Sequence, residues 1–486
     1  MGPEEFVDVD TVSGRVRGRW REIPDSNARS AAFLGIPFAQ APVGELRFAA
    51  PEPVPAWEGV RDALAFGATA QRGDPGVTLI PEPSVPGDAT LNVNVFTPDP
   101  TATGLPVLVW IHGGGFFAGS PASPWYDGRA FNRDGVVTVS LSYRLGFDGF
   151  GWIDGAPSNR GVRDWIAGLE WVQQNIAAFG GDPGRVTIAG QSAGGGAVLT
   201  LLGMPSAQHL FHGVWSLSGA LADVSRERAI ALAEKLATAA GVACDRAGFA
   251  TLSEERLLEV QRAATAMTPA AMSEMMTTGL GLGPTVDGDL LTMSTVDSLR
   301  AGVGADKPLV MGTTDDEFTM ALIGQEKLMR WIPRRVVLGR LGLTGTVRRD
   351  YLAANADVAK LSTARVAGRY LTDRMFRARL PIIADARGDA PSWAYRFSWP
   401  SGAFGFAEHC LDVPFFFDCL DGPAIEALAG PQPPQELAER MHSDAVRFVV
   451  SGAVPWPRWV PDETARVYDV PVRDQGDAYA SVAPLR

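Results

Sequence analysis

Cysteine and histidine are scarce in this chain of 486 residues, which has three of the first and five of the second. Cys244, Cys410 and Cys419 are unevenly spaced and form no Cys-x-x-Cys pair. That usage argues against structural disulfides and predicts a reducing compartment, the cytoplasm. So few histidines, with no His-Glu-x-x-His run, leave no metal centre to expect. No stretch of 18 apolar residues occurs, so no membrane-spanning helix is expected. There is no Asn-x-Ser/Thr sequon, and the opening MGPEEFVDVDTVSG lacks the basic-then-apolar order of a secretion signal. Positive charge is also short. The 43 Lys and Arg against 55 Asp and Glu give a net charge of −12, the wrong sign for a protein that follows nucleic-acid phosphates. No internal repeat stands out, and the proline patches at 81–86 and 431–434 read as surface loops rather than linkers.

Core-forming residues are plentiful: 46% of the chain is hydrophobic and 20% charged, ordinary values for a large globular core. Among the 54 glycines, one run attracts notice, GQSAGGG at 190–196. A Gly-x-Ser-x-Gly arises by chance in roughly one chain in three of this make-up, so its setting must decide. Before it, RVTIAG (185–190) alternates β-branched residues as a short buried strand. After it, AGGGAVLTLLG can begin a helix. Strand, sharp turn, helix is the setting of a nucleophile elbow, in which Ser192 takes a strained conformation and projects its hydroxyl above a sheet. Gly190 and Gly194 then follow from sterics, because a Cβ at either place would strike the adjoining strand or helix.

The neighbourhood repeats this alternation. Segments 107–111 (VLVWI) and 136–143 (VVTVSLSY) read as buried strands. From about Val162 a helix is expected, with Val162, Trp165, Ile166, Leu169, Val172 and Ile176 at three- and four-residue steps, broken by GGDPG at 180–184. Strands alternating with helices predict a mostly parallel sheet with helices on both faces. HGGGF (112–116) directly follows the first strand. Glycines there leave backbone N–H groups open to a developing oxyanion, which a serine attacking an ester carbonyl must create.

The base follows by elimination under the chain order serine, acid, histidine. His112 precedes Ser192, while His209 and His212 follow it too closely for an intervening acid-bearing strand. His442 lies in a helical pattern and reads as structural. His409 remains, in the loop beyond the strand 393–399, where sheet-topped sites sit. The acid should follow another strand, and KPLVMGTTDDEF offers strand residues 309–311 and then Asp315, Asp316 and Glu317. The residues alone do not choose among these three.

Together these motifs resemble the type-B carboxylesterase family over nearly the whole chain. The likeness runs from FLGIPFAQAPVGELRFAAPEPVPAW (33–57) through VWIHGGGFFAGS, LSYRLGFDGF and NIAAFGGDPGRVTIAGQSAGG to GPTVDGDLL, GTTDDEF and the His409 loop. The resemblance implies an α/β-hydrolase fold in one domain, 1–486, with a large mostly parallel sheet and a helical cap around 320–385. It selects Glu317 as the acid, with Asp315 and Asp316 expected to face solvent or backbone. It also implies oxyanion donors at Gly114, Gly115 and Ala193, and an auxiliary hydroxyl at Ser218.

Departures are visible too. Phe318 replaces the usual glycine after the acid, which is expected to tilt that turn. Gln191 stands where many members have glutamate, and Trp165 replaces a common glutamine. Thr90 and Ala70 stand where secreted relatives carry a disulfide. The implied activity is hydrolysis of small to medium apolar esters with water, through an acyl-enzyme, without cofactor or metal. No nucleic-acid or membrane partner is expected, and the assembly is a monomer or small homo-oligomer. Phe116, Phe117, Phe404 and Phe406 flank the motifs and are expected to line the substrate pocket, with the Met-rich segment 266–283 as a further cap or plain helix core. Two other readings remain at this point: an amidase or carbamate hydrolase with the same triad, and a non-catalytic binding protein on the same fold.

Overall fold

The computed structural model describes residues 5–24, 26–73, 78–266, 268, 275, 278–322 and 324–486. Its centre is a 13-stranded sheet. In chain order the strands are β1 (Phe6–Thr11), β2 (Gly14–Glu22), β3 (Arg29–Pro37), β4 (Val60–Asp62), β5 (Asn92–Thr97), β6 (Leu105–Ile111), β7 (Val137–Leu141), β8 (Gly181–Gln191) and β9 (Gly213–Leu217). A small separate pair, β10 (Val224–Ser225) with β11 (Thr285–Val286), comes next, then β12 (Leu309–Thr314), β13 (Ser392–Phe397), β14 (Ala465–Tyr468) and β15 (Arg473–Gln475). Across the large sheet the order is β1-β2-β3-β5-β7-β6-β8-β9-β12-β13-β14-β15, with β4 alongside β2. Every adjacent pair from β7 to β14 is parallel, and antiparallel strands close both ends.

The parallel strands read as continuous apolar runs because both faces are covered. Alternation along β6 feeds two cores. Val107, Val109 and Ile111 pack with Val162, Trp165, Leu169 and Val172 of the helix Arg160–Asn175. Leu108 and Trp110 face the other way, toward Leu437, Met441, Ala445 and Phe448 of the helix Gln435–Ser451. Period-2 side-chain alternation thus serves two helical layers from one strand.

The expected elements fall where the sequence places them, with one correction. The break after the first helix is not the whole GGDPG run. Gly180 alone, at φ +85, ends the turn Ile176–Phe179, and Gly181 already pairs with Leu105 as the first residue of β8. A left-handed conformation costs glycine nothing, so one residue suffices. Between β12 and β13 the chain is helical, including Thr363–Thr372, a single π turn at Asp373–Arg377, and Arg379–Arg387. Of the Met-rich segment, residues 267, 269–274, 276 and 277 lie outside the described residues.

Candidate active site

Loops leave the carboxyl ends of five neighbouring parallel strands, β6, β8, β9, β12 and β13, on one side of the sheet, and each delivers one part of a polar cluster. The sharpest of these turns follows β8. Ser192 has φ 58 and ψ −120, a strained conformation for a side-chain-bearing residue, and the helix Ala193–Leu202 starts immediately after it. The glycines explain how the chain turns so tightly. A Cβ on Gly190 would lie 2.5 Å from the Gly194 carbonyl carbon, and one on Gly194 would press into the carbonyl oxygen of Ile111 in β6. The serine backbone is tied to the next strand, with its N–H donating to Leu217 O at 2.9 Å.

His409, beyond β13, points its Nδ1 at Glu317 Oε2 over 2.6 Å. Glu317 follows β12 and is wholly buried. Its other oxygen, Oε1, accepts from the Ser218 hydroxyl at 2.6 Å and from the Thr314 N–H at 2.8 Å. A carboxylate so placed has both oxygens committed and a fixed direction. On the far edge of the imidazole, Gln191 Nε2 stands 3.2 Å from His409 Nε2. With Nδ1–H donated to Glu317, Nε2 carries the lone pair, so the Gln191 amide donates to it. Phe318 and Phe376 are stacked with ring centroids 5.5 Å apart, and both contact the imidazole, at 5.5 and 5.2 Å. Phe318 lies against Phe376, its N–H donates to Thr372 Oγ1 at 3.1 Å, and with this side chain in place Glu317 reaches His409.

Burial opposes a charge on His409, but the adjoining Cys410 sulfur and the Glu317 carboxylate favour it and prevail, so its pKa lies well above the ordinary histidine value. Two further acids stand close by. Burial, reinforced by Glu317, pushes Asp412 up to about 7, and it accepts from the Tyr395 hydroxyl at 2.7 Å. Burial likewise pushes Glu408 up to about 8, and neither of its carboxyl oxygens has a hydrogen-bond partner among the described residues. Burial thus favours the acid form of both.

Asp315 and Asp316 do not face solvent or backbone, which corrects the sequence expectation. Asp315 is held by Arg396 of β13 through Nε at 3.0 Å and Nη2 at 2.8 Å, and by the Ser398 hydroxyl at 2.9 Å. Asp316 accepts from Arg369 Nη2 at 2.9 Å, more distantly from Arg365 Nη2 at 3.4 Å, and from Thr319 Oγ1 at 2.8 Å. The three adjacent carboxylates point three ways, two to arginines and one to the histidine.

The glycine turn after β6 lies beside the elbow. Gly114, Gly115 and Phe116 have φ of 101, 63 and 67, a run of left-handed residues. Among the described residues, the N–H groups of Gly114, Gly115 and Ala193 donate no hydrogen bond. Phe116 is not a pocket residue: its ring has no exposed surface and packs on Phe150 and Trp165 under the turn. Burying a phenylalanine is worth roughly 1.5–3 kcal/mol, enough to offset the about 1–3 kcal/mol cost of its left-handed backbone. Phe117 is the opposite, 59% exposed, with its ring across Gly115. Phe406 is buried with Arg365 over its ring, and Phe404 is half-buried beside it.

His112 and His442 have structural places. His112 stacks on Tyr143 at 4.5 Å, and burial lowers its pKa to about 4. His442 is buried between Phe416 O (2.8 Å) and Asp134 Oδ2 (3.0 Å). Among the described residues, no cluster of His, Cys, Asp or Glu is placed to hold a metal ion, and no helix is long and apolar enough to cross a membrane.

A parallel sheet with these loops at its carboxyl edge, and a strand-serine-helix elbow among them, defines an α/β-hydrolase. Comparison with known proteins narrows that class. The profile of the Carboxylesterase family matches residues 4–466. The para-nitrobenzyl esterase of Bacillus subtilis is 33% identical over 460 residues, 88% of each chain. The fumonisin B1 esterase of Sphingopyxis macrogoltabida is 32% identical over 480 residues, 92% of this chain and 84% of that one. The crystal structure of a carboxylesterase from Geobacillus stearothermophilus superposes with a TM-score of 0.83 at 31% identity, covering 99% of this chain and 100% of the other. This chain belongs to the type-B carboxylesterase family and is a carboxylic ester hydrolase.

Proposed function

We propose that this chain hydrolyses small to medium apolar carboxylic esters through an acyl-enzyme on Ser192, with His409 as base and Glu317 as the acid behind it. The observation that carries the reading is the 2.6 Å contact of His409 Nδ1 with Glu317, in a loop beside the Ser192 elbow. The neutral His409 takes the Ser192 Oγ proton at Nε2 as the oxygen attacks the ester carbonyl. Glu317 stabilises the imidazolium, and Ser218 and the Thr314 N–H keep its carboxylate aimed. The free N–H groups of Gly114, Gly115 and Ala193 receive the oxyanion. His409 then gives its proton to the leaving alcohol and draws one from the water that releases the acid. Gln191 must yield His409 Nε2 to the serine during this cycle, since one lone pair serves one donor.

In this reading the whole chain, 1–486, acts as one hydrolase unit. The helical stretch around 320–385 forms a wall of the site, supported by Phe376 against His409 and Arg369 against Asp316. Phe117, Phe404 and Phe406 remain as proposed pocket residues. The three free cysteines agree with a reducing, cytoplasmic setting. The test is covalent labelling with an organophosphate or sulfonyl fluoride, followed by peptide mass spectrometry. Label on Ser192, parallel to loss of esterase activity, is expected. Label elsewhere with Ser192 free would overturn the assignment. A panel of chromogenic esters against matched amides and carbamates decides the bond class, with esters expected to lead.

A further inference from the structure

One cleft starts at the site itself. It has a volume of about 330 Å³ and begins at Gly115 and Phe117, the proposed oxyanion glycine and the aromatic ring lying over it. The helix Arg226–Ala240 forms its floor, turning Arg228, Ala231, Leu232 and Lys235 toward it. Those positions are i, i+3, i+4 and i+7, a single helical stripe, with two cations about 10 Å apart along the axis and small apolar residues between them. No Asp or Glu lines the cleft among the described residues. The larger opening along Pro81–Pro86, about 730 Å³, includes neither catalytic nor oxyanion residues.

The two cations are committed differently. Arg228 donates to Thr278 O at 2.7 Å, Leu280 O at 3.3 Å and Gly279 O at 3.4 Å, so it holds the turn that walls the cleft. Lys235 is exposed, and among the described residues its ammonium makes one hydrogen bond, to Ala264 O at 2.9 Å. An ammonium has three N–H donors, so two are left for a ligand. Neither cation has a carboxylate partner among the described residues, in a chain whose net charge is −12. An apolar channel that leads from the oxyanion site to an unneutralised ammonium fits a molecule with an apolar middle and an anionic end.

Resting on the esterase reading above, we propose that the preferred substrates are esters carrying a carboxylate at the end remote from the scissile carbonyl, with Lys235 as the residue that receives it. The acyl chain runs from Ser192 past Phe117 and Leu232, and its terminal carboxylate meets the Lys235 ammonium.

The test compares 4-nitrophenyl hemiesters of adipic and suberic acid with the methyl-ended esters of equal chain length. These diacids are long enough that the free carboxylate does not efficiently cleave its own ester. The measured quantity is the ratio of kcat/KM for acid over neutral ester. It is expected to exceed one in the native protein, to fall by about fivefold in Lys235→Gln, the scale of an exposed ion pair, and to fall further in Lys235→Glu. It should also shrink as added salt screens the pair. Arg473→Gln, on the edge strand β15, should leave the ratio at its native value. A ratio below one in the native protein, or one indifferent to both Lys235 variants, overturns the proposal while ester hydrolysis stands. Failure of the esterase reading looks different: neither ester of a pair is turned over and Ser192 is not labelled.

Discussion

Replacing Glu317 by Gln keeps the shape of the side chain and removes its charge, and the surrounding donors set the outcome. Oε1 accepts from two groups, Ser218 Oγ and Thr314 N–H, while Oε2 accepts from His409 Nδ1. An amide has one accepting oxygen. If it faces Thr314 and Ser218, its NH2 points at His409 Nδ1, which must then be the acceptor, and the proton moves to Nε2. That is the wrong tautomer for a base. If the amide is reversed, its NH2 meets the Thr314 N–H head-on, a buried donor without an acceptor, at a cost of about 1–3 kcal/mol. The first arrangement is cheaper, so the variant should fold and hold its histidine in the inactive form. Loss of a triad acid by such an exchange costs about 10⁴-fold in kcat elsewhere. That is about 5.4 kcal/mol of barrier, at 1.36 kcal/mol for each factor of ten. The assay is steady-state hydrolysis of a chromogenic ester, with thermal denaturation as the control for folding. Labelling of Ser192 by an organophosphate should slow in step. A folded Glu317→Gln protein that keeps more than about a tenth of native kcat would refute both the assignment of the acid and the tautomer argument, because a carboxylate that holds the base in its working tautomer cannot be lost so cheaply.

Three further outcomes rest on the same contacts, and a fourth on the elbow. Asp315→Asn leaves the largely buried Arg396 without its countercharge, while Arg377 keeps Asp373 at 2.6 Å, so unfolding free energy should drop by about 3–5 kcal/mol in a denaturant titration; a drop within the error of the titration contradicts the ion-pair account. The Asp315 carboxyl is held far below the ordinary carboxylate range by Arg396, Arg377 and Arg369 despite its burial; its stabilisation is thus present above the unfolded-state pKa of about 4 and lost only as pH falls below it, so the stability gap between native protein and Asp315→Asn should narrow in acid. Because His409 titrates above its ordinary value and acts as a base only when neutral, kcat/KM should fall as pH drops through a pKa above about 6.5, and in Glu317→Gln the residual activity should show that limb moved to lower pH; an acidic limb well below 6 in the native protein argues against the pairing. Gly194→Ala drives a methyl into the Ile111 carbonyl and should abolish activity together with the native fold of the elbow, seen as lost labelling of Ser192 and a lowered melting temperature.

The elbow was legible because its constraint is local. Gly190, Ser192 and Gly194 are separated by single residues, and the steric reason for each lies in the turn itself. His409 was singled out for a different reason, scarcity: with five histidines, chain order excludes most of them as the proposed base. The proposed acid was not readable from chemistry, since Asp315, Asp316 and Glu317 differ only in which long-range partner each meets. Those partners lie 81 residues away in Arg396, 53 in Arg369 and 92 in His409. Nothing in the local pattern distinguishes them. Phe116, but not Phe117, was misplaced for the same reason. They are neighbours of one type, but a left-handed backbone at Phe116 sends one ring into the core and leaves the other over the cleft. Phe376 and the Gln191 amide, both in contact with His409, carried no sequence signal beyond the departure noted at 191.

The order in which the chain delivers the site has a temporal side. Gln191 and His409 are 218 residues apart, and Glu317 lies between them. A chain made at about 5–20 residues per second therefore carries its serine and glycine turn for ~10–40 s before His409, the proposed base, is added. Until β12 is made, more than halfway through that interval, the edge of β9 is an open template for pairing, and β14 is made only after it. On the proposed assignment the protein cannot attack an ester while half-built, because Ser192 arrives long before His409, the group that would activate it. First turnover then reports completion: a nascent chain acquires activity only when the sheet has closed past β13, which makes hydrolysis itself a stopwatch for the last stage of folding.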